Sequence, residues 1–145
     1  MAVGAVTLKS TASSVQTRSI LAGSGPVEME GNAVTTTPDA SVIDTTGAVK
    51  LTARAGNVNV RVNNSSGVTA SAKSTNTNVS LSIDSTGTLN VASASAETTA
   101  CPFTNSCATA TVTLESTGGN VTVGSATAKA PIFAPGTTSE RSRRP

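Results

Sequence analysis

A glycine opens a short alternating run at Gly47, again at Gly67 and again at Gly87, an equal step of about 20 residues each time. The runs read TTGAVKLTA, SSGVTASA and STGTLNVASA, with AGNVNVRV and NTNVSLSI offset between them and a further copy, STGGNVTVGSA, from Ser116. In each run the apolar residues take every second position: Val49, Leu51 and Ala53; Val58, Val60 and Val62; Val68, Ala70 and Ala72; Val79, Leu81 and Ile83; Leu89 and Val91. A period of two places one set of side chains in a core and the other in water, so these are half-buried strands. A strand-sized unit repeated at this interval is the mark of a solenoid, in which each coil stacks on the last. Inward valines stacked like on like, at 49, 58, 68, 79, 112 and 121, would hold such a stack together. Antiparallel hairpins folded into a sandwich are the competing arrangement.

Composition agrees with a thin aliphatic core. Trp, Tyr and His are absent, and Phe103 and Phe133 are the only aromatics. A sandwich or an enzyme cleft leans on aromatic bulk, whereas stacked Val, Leu, Ile and Ala do not need it. Ser and Thr make up about a third of the chain. Their alternation with Val favours strand over disorder.

The pattern divides the chain into three stretches. Residues 1–44 form irregular first coils, with a strand-like run at Val6–Lys9 and turn formers at Gly23, Gly25, Pro26, Gly31 and Pro38. Residues 45–130 carry the regular repeats. Gly119 follows Gly87 by more than one and a half repeat units, so residues 97–108 are expected to leave the stack as a protruding loop. Residues 131–145 read as a disordered tail. The repeat glycines are expected to supply positive φ at strand starts. The expected architecture is an all-β, parallel β-helix or solenoid of four to six coils.

The phrases TTGAVKLTARAGNVNV, STGTLNVASA and STGGNVTVGSATAKA resemble the repeats of filamentous-haemagglutinin-type exoproteins of the two-partner secretion class, and those of autotransporter passengers. The resemblance covers residues 45–130. It implies a right-handed parallel β-helix with coils of about 20 residues and a role as an adhesin, secreted or at the bacterial cell surface. A host-cell surface or carbohydrate receptor and an outer-membrane secretion partner would follow. The family's secretion domain has no counterpart here. With no evident polar cap at either end, the chain is expected to be one slice of a longer one.

No catalytic, cofactor-binding or metal-binding residues emerge. The absence of His removes Ser-His and Cys-His machinery and the commonest metal ligand. The eight acids are dispersed, and only Glu28 and Glu30, in VEMEG, could share a strand face as a carboxylate pair would require. A β-helix carbohydrate-active enzyme or a phage tailspike fragment is therefore the rival reading, lacking its acidic cluster. An ice-binding solenoid is another, with Thr52, Thr69, Thr88, Thr113 and Thr122 facing outward. Cys101 and Cys107, in CPFTNSC, suit a small disulfide loop, and Phe103, Thr104 and Asn105 at its tip are the candidate binding residues. Basic residues are scattered without interleaved aromatics, so no nucleic-acid surface is defined. No apolar run is long enough to span a membrane, and no signal peptide is evident.

Overall fold

A computed structural model describes residues 4–36, 41–101 and 107–132. Fourteen strands and no helix occupy them. In chain order these are β1 (Val6–Lys9), β2 (Val15–Thr17), β3 (Ile20–Gly23), β4 (Val27–Gly31), β5 (Val34–Thr36), β6 (Ile43–Thr45) and β7 (Ala48–Ala53). There follow β8 (Val58–Asn63), β9 (Gly67–Ser74), β10 (Val79–Ser85), β11 (Leu89–Thr98), β12 (Ala110–Ser116), β13 (Val121–Val123) and β14 (Ala126–Lys129).

Every pairing is parallel and joins one coil to the next, so the fold is a β-solenoid. One sheet runs β1-β4-β7-β9-β11, with β13 and β14 both pairing with β11. The other runs β2-β5-β8-β10-β12, with β3 and β6 joined to it through β8. The irregular stretch before Thr45 therefore belongs to the same stack, because β1 pairs with β4 and β4 with β7.

The register explains the repeat and corrects its length. Along the first sheet Val6, Val27, Val49, Val68, Val91 and Val123 form one inward column. Its steps are unequal, shortest from Val49 to Val68 and longest from Val91 to Val123, so the coil has no fixed length. The next inward column is Leu8, Met29, Leu51, Ala70, Ala94 and Ala126, so side-chain volume falls sharply after β7. The facing sheet gains volume over the same coils, where Val58 gives way to Leu81 and Val60 to Ile83. On the second sheet Val58 stacks on Leu81, whereas Val79 stacks on Ala110. This even-numbered offset from a simple Val-on-Val alignment keeps every side chain on its own face.

The corners use a local device. In TTG, SSG and STG the first hydroxyl residue is buried: Thr45, Ser65 and Ser85 are at most 6% exposed. Thr45 Oγ1 donates to the Gly25 carbonyl (2.6 Å) and accepts from Gly47 N (2.9 Å). Ser116 Oγ donates likewise to the Gly87 carbonyl (2.6 Å). The hydroxyl thus ties its own turn to the coil beneath. The repeat glycines do not supply positive φ. Among the described residues only Gly23 and Asn64 adopt it. Gly47 is required for a different reason: a Cβ there would lie 2.5 Å from the Gly25 carbonyl oxygen. Gly87 has open space at the same place.

Asparagines complete the corners. Asn57 Oδ1 accepts from Ser80 N, Asn78 Oδ1 from Thr109 N, and Asn63 Oδ1 from Thr86 N, each reaching into the next coil. No buried side-chain nitrogen or oxygen among the described residues lacks a hydrogen-bond partner, so the abundance of Ser, Thr and Asn does not burden the core.

Two outcomes test this account. Leu81 is fully buried, so Leu81→Ala is expected to cost about 2–5 kcal/mol. Ser80→Ala, on the outer face, should cost less than about 0.5 kcal/mol. Equal urea midpoints for the two would reverse the assignment of faces. Gly47→Ala is expected to cost about 1–3 kcal/mol through forced backbone displacement, and Gly87→Ala to be neutral or slightly stabilising, both read from thermal melts.

Candidate functional site

The outer face of the first sheet gathers most of the charge. Inward Val, Leu and Ala force the alternate residues outward, and the register then stacks Thr7, Glu28, Lys50 and Thr69 in one column. Lys9, Glu30, Thr52 and Ser71 form the neighbouring column. Glu28 is held between Lys50 Nζ (3.1 Å) and Lys9 Nζ (3.3 Å), and Glu30 between Arg54 Nη1 (2.9 Å) and Lys9 Nζ (3.6 Å). Further along the same face Glu97 lies between Lys129 Nζ (3.3 Å) and Lys73 Nζ (3.6 Å).

These contacts decide what the carboxylates can do. The hydrogen bond from Lys50, then that from Lys9, holds the Glu28 carboxyl below its ordinary range. Lys129 does the same for Glu97, with Lys73 adding to it. A carboxylate kept ionised in this way is a poor proton donor. Glu28 and Glu30 do share a face, and both are ion-paired to neighbouring coils. Arg61 and Asp84 pair on the second sheet, and Asp44 accepts from Asn64 Nδ2. Among the described residues no group of His, Cys, Asp and Glu could hold a metal ion.

Beside the charged columns an open groove of ≈ 400 Å³ runs across the first coils, where Ala5, Pro26 and Ala48 are small enough to leave room next to Thr7, Glu28 and Lys50. The outward threonines do not form a rank. Thr52 stacks on Glu30 and Ser71, Thr69 on Lys50, Thr113 on Ser82 and Thr122 on Asn90. None of these stacks on another threonine.

The stretch between β11 and β12 holds the residues expected to form the inserted loop. β11 continues through Glu97 and Thr98, into the expected start of the loop, and β12 begins at Ala110. Ala108 N donates to the Ala100 carbonyl (2.8 Å), and a disulfide joins Cys101 to Cys107, so the base of the excursion is closed twice. A depression of ≈ 360 Å³ lined by Thr75, Asn76, Thr99 and Cys101 adjoins it. Phe103, Thr104 and Asn105 lie outside the described residues, as do residues 133–145 of the expected tail.

The columns of alternating charge escaped the reading of the sequence. Lys9, Glu28 and Lys50 stand at unequal intervals along the chain, and they come together only once the unequal coil lengths are known. Pairing Val27 with Val49 through their shared Val-x-Leu/Met pattern would have placed Glu28 on Lys50.

No protein-family model, no curated protein and no solved structure matches the chain. No helix among the described residues is long and apolar enough to cross a membrane.

The disulfide closes a short loop, and chain entropy sets its worth near the low end for cross-links. Replacing both Cys101 and Cys107 with Ser is expected to cost at most about 2 kcal/mol in urea unfolding and to leave the far-ultraviolet strand spectrum unchanged. Loss of that spectrum would make the loop part of the stack rather than an appendage to it.

Proposed function

We propose that this chain is a structural and adhesive rod of a bacterial secreted or cell-surface protein. It attaches to a host-cell surface or carbohydrate receptor through its polar outer faces and the disulfide-closed corner. The observation that carries the reading is the parallel stack itself. Each added coil lengthens the rod by ~4.8 Å and displays another row of Ser, Thr, Asn and charged side chains, while the inward Val, Leu and Ile do only the holding. The resemblance of the repeats to filamentous-haemagglutinin-type exoproteins supports the bacterial and secreted parts of the reading, and with them an outer-membrane secretion partner. A disulfide fits an oxidising compartment.

Two alternatives have less support. A carbohydrate-active enzyme needs a carboxyl group able to donate a proton beside a second carboxylate. Glu28 and Glu30 are instead both occupied by cations. An ice-binding solenoid needs ranked threonines, and here Thr69 stands on Lys50.

The test is adhesion of the purified chain to epithelial cells and to an array of immobilised glycans. The comparison is a variant in which residues 101–107 are replaced by a short turn. Saturable binding that falls at least tenfold in the variant would assign attachment to the corner, and binding that persists would assign it to the sheet faces. Binding no higher than that of an unrelated protein of equal charge would leave a rod without adhesive function.

A further inference from the structure

The strands at the ends of the first sheet are less covered than those inside it, as β12 is at the end of the second. Val6 and Leu8 of β1 are only partly buried, and Val121 and Val123 of β13 are each 40% exposed. The same inward columns one coil further in are nearly inaccessible, at 1% for Val27 and 3% for Val91. β14 is exposed along its whole length. Apolar burial therefore holds the terminal strands weakly, and such segments open locally at the lowest cost.

Both ends carry the same outer-face arrangement. At one, Glu28 of β4 reaches Lys9 on the terminal strand β1 and Lys50 on the inner strand β7. At the other, Glu97 of β11 reaches Lys129 on the terminal strand β14 and Lys73 on the inner strand β9. In each case one carboxylate in the middle strand grips a cation on either side, so the terminal strand is tied across three coils rather than two. The remaining charges facing Glu28 are Glu30 on its own strand, which also takes Lys9 (3.6 Å), and Arg54 following β7, which pairs with Glu30. Among the described ion pairs, Glu97 has only its two lysines.

We propose that these two Lys-Glu-Lys clamps latch the outermost strands of the described stack, and that acid or high salt unlatches them while the inner coils stay folded. The latch opens on the acid side. A carboxylate held below its ordinary range contributes stability that is complete above that range and is lost as pH falls through the depressed value. Salt acts because both clamps are exposed and screenable. Opening of β14 would uncover the edge of β11 and the inward faces of Ala94 and Ala96, which are now 2% and 0% exposed. Such an uncovered edge can accept another parallel strand.

Amide hydrogen exchange of the intact chain, corrected for intrinsic rates, tests this. Near neutral pH in low salt, Glu97→Gln is expected to raise the opening constant of Ala126–Lys129 by about two- to tenfold while β8 and β10 keep their protection. The wild-type chain should approach the same level as pH falls through the depressed Glu97 range, or in 1 M salt. Glu97→Gln should be insensitive to both, and Glu97→Asp should fall between. Unchanged protection of β14 in Glu97→Gln, or a wild-type pH response that survives in it, would overturn the proposal. So would simultaneous loss of protection in β8 and β10.

Discussion

The parallel hydrogen-bonded ladder from coil to coil is the constraint on which everything else in this protein depends. It sets where each side chain sits by reference to the coil beneath rather than by distance along the chain. The short coil from Val49 to Val68 and the long one from Val91 to Val123 can therefore share one sheet, because surplus chain leaves at a corner and returns before the next pairing begins. Between β11 and β12 the chain is closed at Cys101–Cys107 and at Ala100–Ala108, and Val91 still meets Val123.

The ladder also explains how a core without large aromatics stays dry. Each inward column stays aliphatic above and below, though the size of its residues changes from coil to coil. Where the first sheet narrows from Leu51 to Ala70, the second widens from Val58 to Leu81 and from Val60 to Ile83. The corners cannot be apolar, since the chain must turn there and expose backbone. Buried Thr45 and Ser85, and the asparagines that bridge coils, satisfy those groups. Asn63 and Asn64 are among these bridges. Their side-chain amides already donate to Thr86 and Asp44.

The alternation of Val and Leu with polar residues made the strands, their inward faces and the solenoid class legible, because burial on one side of a pleat leaves a period of two whatever the coil length. Register was not legible. It depends on corner geometry, which lengthens one coil and shortens another without disturbing the alternation, and so the pairing of Glu28 with Lys50 stayed hidden. The role of Gly47 was misjudged for a related reason. A glycine needed for close approach to Gly25 and one needed for positive φ look identical in one dimension. The disulfide partners were evident from CPFTNSC, whereas nothing in a single sequence says what that corner touches.

β11 breaks its own alternation. Between Val91 and Ser93 it slips by one residue against β9, so Val91 and Ala94 both point inward three positions apart. The coil above repeats the spacing, with Val123 and Ala126 over the same two residues and the strand divided between β13 and β14 at that point. Gly124 lies at the break, where a Cβ would stand 2.5 Å from the Ala92 carbonyl oxygen. The irregularity behaves like a dislocation line in a crystal. It begins at the step from β9 to β11, and the described coil that follows copies it. A parallel stack can thus take up an extra residue in one coil and hand the same spacing to the coil above, with a glycine where the two backbones come close.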